Sequence, residues 1–392
     1  MRIAILTSGV LPVPAVQGGA VENLIDFILE YNNKQRIHDI DIYSVTHREV
    51  FHHPALQSNA NHYHYINTSS LCAKLFIRIR HLFKIQGYYD DTIEYYLSCA
   101  IRQITKKSYD IILIENRPGY VLKLRSSENC KLVIHQENDY LNSDIFRCQE
   151  IYQRTSFIIN TSDYITKRVK TINKDDKKCI TILNGIDIEH FFQAKPMDRQ
   201  ILGFKKEDFI IAFSGRLTPE KGILQLIQAI KQLGNEKNIK LLIIGASAYG
   251  KDKKPTDFIL QLEQESLPIK SKIQFTGYVD YELIPSYIKI ADIAVIPSMW
   301  EEPFGLTVVE AMASGLPLIT TNSGGIPEIC EDNAIIVERD NIVHNLANSI
   351  LDLYHHPDKR ECLSRAAIER SKYFNKERYA KDFFDALESI GI

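Results

Sequence analysis

The segment Trp300-Glu-Glu-Pro-Phe-Gly-Leu-Thr-Val-Val-Glu310-Ala-Met-Ala-Ser-Gly-Leu-Pro317 indicates how the second half of this sequence folds. It follows the apolar run Ile293–Pro297, which has the length of a buried strand, and it predicts a helix from about Phe304. A strand, a loop and a helix in this order form the repeating unit of parallel α/β sheets, whose ligands bind beyond the carboxyl ends of the strands. The backbone N–H groups of Gly305 to Thr307 could therefore hold a phosphate.

Two carboxylates, Glu302 and Glu310, stand in this segment with seven residues between them. Carboxylates accept hydrogen bonds from sugar hydroxyls, so one could hold a hexose and the other a ribose. Alternatively, Glu302 complements the positive end of the helix dipole and Glu310 lies on a solvated helix face. The residues alone leave both interpretations open.

A second motif, Ser214-Gly-Arg-Leu-Thr-Pro-Glu-Lys-Gly222, lies between the predicted strand Phe209–Ser214 and the predicted helix Ile223–Leu233. This position puts Arg216 and Lys221 at the carboxyl edge of the sheet. A planar guanidinium and a compact ammonium together suit a diphosphate. The alternative is a turn in which both cations are merely solvated.

Strand-length apolar runs alternate with helical patterns, such as Val21–Tyr31 and Thr92–Thr105, along the whole chain. The pattern breaks at Gln193–Gly203, which predicts two doubly wound domains, residues 1–195 and 196–374, with a last helix at about 375–392 packing back on the first. Facing domains would enclose an interdomain cleft for a substrate. The predicted strands are Ile3–Thr7, Ile40–Val45, Ile111–Ile114, Lys131–Ile134, Phe157–Asn160 and Cys179–Leu183, then Phe209–Ser214, Lys240–Ile244, Ile273–Phe275, Ile293–Pro297, Leu318–Thr320 and Ala334–Val337.

The composition excludes several classes of protein. The 392 residues include 47 Lys plus Arg against 49 Asp plus Glu, a balance that argues against a dedicated nucleic-acid binder. The seven cysteines form no CxxC pair, which is typical of free thiols in a reducing cytoplasm rather than of disulfides or a zinc site. No apolar run reaches the roughly 18 residues that span a bilayer. We therefore expect a cytoplasmic protein.

Together, Gly215-Arg-Leu-Thr-Pro-Glu-Lys-Gly222 and the pair Glu302 and Glu310 resemble the retaining GT-B glycosyltransferases of family four, the group one enzymes, which use nucleotide sugars. The resemblance spans nearly the whole chain and implies two Rossmann-like domains, hexosyl transfer and no need for a metal or a cofactor. Supporting segments occur in the family's order: Gly18-Gly-Ala-Val-Glu22, Asn116-Arg-Pro118, His135, Asn184-Gly-Ile-Asp187 and Gly324-Gly-Ile-Pro-Glu328.

The resemblance also implies roles for individual residues. Arg216 and Lys221 would neutralise the donor diphosphate, Glu302 would bind the donor sugar, and His135 would lie near that sugar; these four are the implied catalytic set. On its own, a histidine at a strand end is more often structural or solvent-facing. The implied donor-binding residues are Gly18, Gly19, Asn184, Gly245, Tyr278, Val279, Phe304, Gly305, Leu306, Thr307 and Glu310, with the ribose on Glu310 and the base on the main chain of Tyr278 and Val279. The implied acceptor-side residues are Glu22, Asn116, Arg117 and Asp139.

Two segments imitate other sites. Gly245–Lys251 nearly matches a phosphate-binding P-loop, but Asp252 stands where Ser or Thr must bind magnesium. Asp39-Ile-Asp41 resembles the metal-binding motif of the other large glycosyltransferase fold, but it stands at the start of a predicted strand and is expected to form a turn. No spacing of His, Asp or Glu elsewhere predicts a metal site.

Residues 71–84, Leu71-Cys-Ala-Lys-Leu-Phe-Ile-Arg-Ile-Arg-His-Leu-Phe-Lys84, predict an amphipathic helix with a basic side. Such a helix can lie on anionic lipid, at the inner face of the membrane, and this would suit a lipid-linked acceptor. Alternatively, the apolar side packs on the sheet and the basic side is solvated, which is the interpretation we favour from the sequence.

These patterns predict a retaining, metal-independent hexosyltransferase. Its donor would be a nucleoside-diphosphate sugar, with uridine as the expected base, and its acceptor a saccharide or a lipid-linked saccharide of bacterial surface polysaccharide synthesis. Two other classes remain open: a sugar-nucleotide epimerase of the same fold, and an inert protein that binds nucleotide sugars.

Overall fold

The computed structural model describes residues 1–125, 129–246 and 256–391, with side chains to Ile390. The chain forms two compact units, one of Met1–Asn184 with the residues from Glu377 on, and one of Gly185–Lys376. The second unit begins before the predicted break at residue 195, because Ile186 is tied to the end of that unit: its N–H donates to Phe374 O at 2.8 Å and its carbonyl accepts from Lys376 N at 3.0 Å.

The first unit contains a seven-stranded parallel sheet in the order β3-β2-β1-β4-β5-β6-β7. All six strands predicted for this half are present. The additional strand, β3, lies at the edge of the sheet, and its alternating His and Tyr residues give no apolar run for prediction. The strands are β1 Arg2–Leu6, β2 Asp39–Val45, β3 Asn61–Ile66, β4 Ile111–Glu115, β5 Lys131–Gln136, β6 Phe157–Asn160 and β7 Cys179–Thr181; the helices are α1 Ala20–Gln35, α2 Leu71–Leu82, α3 Asp91–Ile104, α4 Cys148–Arg154 and α5 Asp163–Val169.

The second unit contains a six-stranded parallel sheet in the order β10-β9-β8-β11-β12-β13. All six strands predicted for this half are present. They form because continuous Ile, Leu, Val and Phe runs suit strands that are buried on both faces. The strands are β8 Phe209–Ser214, β9 Ile239–Ile244, β10 Ile273–Phe275, β11 Ile293–Ile296, β12 Leu318–Thr321 and β13 Ile335–Val337; the helices are α6 Ile188–Gln193, α7 Ile223–Gln232, α8 Asp257–Ser266, α9 Ile284–Ile288, α10 Leu306–Ala313, α11 Ile326–Cys330, α12 Ile342–His355 and α13 Pro357–Ser371.

The last helix, α14 (Lys376–Gly391), packs on the first unit. The rings of Phe383 and His135 meet edge to face, with centroids 5.0 Å apart, and Phe384 stacks on Tyr31 at 6.1 Å. Arg378 donates to the carbonyl of Leu183 at 2.7 Å, near the end of the first stretch of this unit. The core of this unit therefore includes residues from both ends of the chain.

Helix α2 leaves most of its large apolar side chains exposed to solvent. Its inward face consists of Ala73, Phe76, Ile77 and Arg80, at helical spacing, and the Arg80 Nε donates to Asp91 Oδ1 of α3 at 2.6 Å. The expectation that the apolar side packs on the sheet is therefore wrong. The exposed apolar residues of α2 and the turn after it are Leu71, Leu75, Ile79, Leu82, Phe83 and Ile85, and three of them (Leu71, Leu82 and Phe83) are 83%, 76% and 68% exposed.

Two segments were compared with other kinds of site in the sequence: Asp39-Ile-Asp41 and the P-loop-like segment Gly245–Lys251. Asp39 and Asp41 lie in β2 and not in a turn, because Asp41 is buried and accepts hydrogen bonds from Lys107 Nζ at 2.6 Å and Tyr109 OH at 2.8 Å. Most of the P-loop-like segment, residues 247–255, lies outside the described residues. In the described part of the chain, helices that combine the length and the apolarity needed to cross a bilayer are absent.

Candidate functional site

In the second unit, the loops that follow β8 and β11 are joined through their backbones. Met299 N donates to Glu220 O at 2.8 Å. Gly222 has φ +70°, and a Cβ atom at this position would lie 1.8 Å from Pro297 O. Only glycine allows the two loops to approach this closely. This contact fixes the cationic loop against the carboxyl end of β11.

The same approach brings Lys221 to Glu302. The Lys221 ammonium donates to Glu302 Oε1 at 2.6 Å, and the hydroxyl of Ser298 donates to the same oxygen at 2.7 Å. Glu302 is 5% exposed and Ser298 is fully buried. A buried carboxylate needs a counter-charge and hydrogen bonds, and it receives both here. Glu302 is thus an ion-paired loop residue and not only an acid at a helix start.

A glycine pair fixes the backbone of this loop. Gly325 N donates to Glu302 O at 2.8 Å, and Gly324 N donates to the Glu301 carboxylate at 2.7 Å. A Cβ atom on Gly324, whose φ is +54°, would lie 2.2 Å from Glu302 O. Gly324 and Gly325 therefore hold Glu302 in place from the loop after β12.

Helix α10 begins at Leu306, two residues later than predicted. Phe304 is 3% exposed and meets the ring of Phe374 edge to face, so its side chain belongs to the core. Gly305 precedes the helix at φ +107°, and the helix start has no side-chain cap among the described residues. The first N–H groups of α10, including those of Leu306 and Thr307, thus keep their capacity to bind an anion.

Glu310 lies on α10 and is buried, so the alternative of a solvated face residue is wrong. Burial raises its pKa to about 7, and a hydrogen bond from the Tyr281 hydroxyl partly offsets this. Tyr281 also meets Phe191 of α6 edge to face at 5.9 Å. Sequence patterns gave no signal for Tyr281, because it stands in a short polar loop without a recognisable period.

Replacing Glu310 by glutamine flattens the pH dependence of stability. The unfolded chain ionises Glu310 near pH 4.5 and the folded chain near pH 7, so its contribution to stability is complete below pH 4.5 and is lost as the pH rises to about 7. The loss in the wild type is of the order of 3 kcal/mol, and the Glu310→Gln variant cannot show it, because an amide does not ionise in this range. Urea unfolding of both proteins at pH 5 and pH 8 measures the difference, and equal pH dependence contradicts this assignment. Burial also raises the pKa of Glu22 to about 7. Because Glu22 is present in both proteins, its contribution to the pH dependence cancels in the comparison.

The loops after β8, β9 and β10 also meet through their backbones. Gly245 N donates to Gly277 O at 3.2 Å, and a Cβ atom on Gly245 would lie 2.0 Å from Gly215 O. Arg216 follows Gly215 and is exposed, and Tyr278 and Val279 follow Gly277. The structure thus brings Arg216, Gly245, Tyr278 and Val279 to the same edge of the sheet as Lys221.

In the first unit, His135 is the last residue but one of β5 and is fully buried. Its Nδ1 is 2.8 Å from Glu115 Oε2 and its Nε2 is 3.0 Å from Glu137 Oε1. Burial alone would lower its pKa, but the two carboxylates outweigh burial and raise the pKa to about 10. Asn184 joins this cluster, since its Nδ2 donates to Glu137 Oε2 at 2.6 Å. The two carboxylates therefore favour the charged form of His135.

Other predicted residues of the first unit gather around Ser8, just beyond β1. Its hydroxyl donates to the buried Glu22 at 3.4 Å, and its carbonyl accepts from Arg117 Nε at 3.3 Å. Burial raises the pKa of Glu22 to about 7. Gly19, at φ +111°, leaves room for Glu22, because a Cβ atom would lie 2.2 Å from Glu22 Oε2. Gly18 precedes it, in a turn with φ +73°.

Asn116 and Asp139 have different surroundings. Asn116 Oδ1 accepts from Glu137 N at 3.3 Å, which links it to the histidine cluster. Asp139 instead pairs with Arg168 Nε at 2.7 Å. Within residues 1–125, 129–246 and 256–391, His, Cys, Asp and Glu side chains form no group suited to a metal ion.

The charged residues of the second unit fall within a known sequence family. Residues 194–370 match the model of the glycosyl transferases group 1. The putative glycosyltransferase YtcC of Bacillus subtilis is 25% identical over 403 residues, which cover 99% of this chain and 88% of that protein. The lipopolysaccharide 1,2-N-acetylglucosaminetransferase of Salmonella typhimurium is 26% identical over 65% of this chain and 67% of its own length.

The fold is similar to that of solved structures. The Anabaena protein Alr3699/HepE, crystallised in complex with UDP and glucose, superposes with a TM-score of 0.73 at 20% identity, over 99% of this chain and all of that one. This likeness concerns the architecture: two units, each with a parallel sheet flanked by helices.

Proposed function

We propose that the chain is a group 1 glycosyltransferase of the GT-B fold, which moves a hexosyl group from a nucleoside-diphosphate sugar to a saccharide or lipid-linked acceptor, with retention and without a metal. The observation that carries the proposal is the ion pair of the half-buried Lys221 with the buried Glu302, beside the uncapped start of α10. A uridine donor is supported by the bound UDP of the Anabaena structure, and surface polysaccharide synthesis by the lipopolysaccharide enzyme.

The chemical problem in such a transfer is the charge of the leaving group. The acceptor oxygen forms a bond to the anomeric carbon, the bond from that carbon to the diphosphate breaks, and its electron pair goes to the diphosphate oxygen. Arg216, Lys221 and the N–H groups of Leu306 and Thr307 would stabilise that charge, since fixed positive groups at a developing anion need no reorganisation. Arg216 and Lys221 would thus stabilise the negative charge of the departing diphosphate, as a bound metal ion can do in other enzymes.

Retention is supported by the resemblance to family four. In the proposed step the acceptor attacks on the face from which the diphosphate departs, and the acceptor proton passes to a diphosphate oxygen. Glu302 would bind hydroxyls of the transferred sugar, and Glu310 the ribose, because both are carboxylates at the carboxyl edge of the second sheet.

The proposed function is tested by following donor consumption with and without a saccharide acceptor. A thermal-shift screen of UDP- and GDP-sugars first selects the donor, because a ligand of the folded state raises its melting temperature. Consumption only with acceptor, and an unchanged anomeric configuration by NMR, are the expected results. Conversion of the donor alone identifies an epimerase, binding without turnover an inert binding protein, and an inverted linkage rejects retention.

We also propose that residues 71–84 contact the inner face of the membrane, which would bring the enzyme to a lipid-linked acceptor. The support is the outward apolar side of α2, with Leu71, Leu82 and Phe83 more than two-thirds exposed. Lys74, Arg78 and Lys84 are exposed in the same segment. Apolar side chains flanked by cations suit an anionic lipid surface.

Vesicle binding measures this contact. The double variant Leu82→Asn/Phe83→Asn is expected to lower co-sedimentation with phosphatidylglycerol vesicles at least about tenfold, since each buried side chain contributes about 1.5–3 kcal/mol. The triple variant Lys74→Ala/Arg78→Ala/Lys84→Ala should lower it as well, whereas Ile201→Asn, at a residue of the second unit that is 73% exposed, should not. Unchanged binding of the double and triple variants rejects the membrane contact.

A further inference from the structure

The indole of Trp300, the only tryptophan of the chain, carries a buried N–H group that has no hydrogen-bond partner among the described residues. An unpaired buried donor costs about 1–3 kcal/mol. Such groups are rare in native proteins, and a functional role or a bound water or ion is a common explanation for them. The indole N–H therefore points to a hydrogen-bond acceptor that arrives with a ligand.

The surroundings of Trp300 indicate the class of that ligand. The ammonium of Lys221 lies 5.7 Å from the centre of the indole ring, within the range of a cation–π contact. Glu302 is two residues away, and the preceding residue, Met299, is bonded through its N–H to Glu220 O. The ring is thus held beside the two charged groups that the proposed function assigns to the diphosphate and the sugar.

The other polar groups of this loop are already paired in the free protein. Lys221 and Ser298 both donate to Glu302 Oε1, and the Glu302 carbonyl accepts from Gly325 N. The indole N–H differs from them in being an unused donor among the described residues. A diphosphate sugar is rich in oxygen acceptors and would satisfy it.

We propose that Trp300 is a further donor-binding residue, whose indole N–H donates to an oxygen of the diphosphate-sugar part of the substrate. This inference rests on the proposed function, since it places the nucleotide sugar beside Lys221 and Glu302. It adds a neutral hydrogen-bond donor beside the charged side chains of Lys221 and Glu302. Phenylalanine at this position would keep an aromatic ring near Lys221 but lose the N–H together with part of the ring surface.

Trp300 also reports on its own ligand, because all tryptophan fluorescence of the protein arises from it. UDP and GDP are titrated into the wild-type protein while emission is followed, and calorimetry measures their binding independently. Binding with a change in emission is the expected result. Calorimetric binding with unchanged emission overturns the role of Trp300 alone, whereas the absence of binding by any nucleotide or nucleotide sugar overturns the proposed function together with it.

The variant Trp300→Phe separates a binding role from a structural one. Loss of one hydrogen bond to a charged ligand predicts a rise of about tenfold in the KM for the nucleotide sugar, with little change in kcat. The matched control Tyr354→Phe removes a hydroxyl from an aromatic residue of α12 and should leave the donor KM unchanged. An unchanged donor KM in Trp300→Phe, or a lower melting temperature with an unchanged KM, overturns the proposal.

Discussion

Replacing Lys221 by alanine lowers the rate of glycosyl transfer by about 10²- to 10³-fold, the usual cost of removing one fixed group that stabilises a developing anion. The loss has two physical sources. The proposed diphosphate would lose a cation, and Glu302, which is 5% exposed, would lose the ammonium now at 2.6 Å from its Oε1. A buried carboxyl group without its ion-pair partner is unfavourable, so the geometry of the loop would suffer as well. Steady-state kinetics with a saturating acceptor measure the effect.

The matched control is Lys231→Ala, which removes a lysine of α7 that pairs with Glu265 at 2.9 Å near the surface of the same unit. Its activity should stay at the wild-type level, because an exposed ion pair contributes little. Circular dichroism and thermal unfolding verify that Lys221→Ala remains folded. Full activity of a folded Lys221→Ala would remove the diphosphate from this site.

Replacing Gly222 by alanine is expected to lower the free energy of unfolding of the second unit by about 3–5 kcal/mol and to abolish transfer. The reason is a collision with a backbone atom: the new methyl group would lie 1.8 Å from Pro297 O, in a residue with φ +70°. The loop that carries Lys221 must then move away from β11, which separates Lys221 from Glu302. Urea unfolding and the transfer assay measure both consequences.

Gly203→Ala is the control for backbone strain alone. Gly203 has φ +80°, close to that of Gly222, but a Cβ atom there would meet nothing within 4 Å. Its variant should lose only about 1–2 kcal/mol and keep its activity. Equal losses in the two variants would show that backbone strain, and not the contact with Pro297, makes glycine necessary at position 222.

Most of the fold could be predicted because buried parallel strands consist of continuous apolar runs in the sequence, as in β8 and β11. Edge strand β3 is polar by sequence, and its pairing with β2 depends on partners that are distant in the chain. The sequence predicted that α2 is a helix, but not which of its faces packs against the rest of the unit. The ion pair of Arg80 with Asp91 turns a charged residue inward, which periodicity cannot foresee.

Site residues could be predicted where a charged residue follows the end of a strand, as Lys221 and Glu302 do. Their direct contact was not, because it depends on two loops that are about eighty residues apart in sequence. His135 was predicted from its place at a strand end, but the sequence could not show that Glu115 and Glu137 lie on either side of its ring. Ser298 and Tyr281 belong to residue types too common to single out without coordinates. The sequence also cannot show that the indole N–H of Trp300 is buried without a partner among the described residues.

The packing of α14 on the first unit constrains how the protein is made. The strands of that unit leave the ribosome before the roughly 190 residues of the second unit, and α14 leaves after them. At about 5–20 residues per second, the surface that Phe383 and Phe384 later cover stays open for roughly 10–40 s. The first unit therefore cannot complete its core during translation of its own strands. Its core is complete only after α14 has been synthesised.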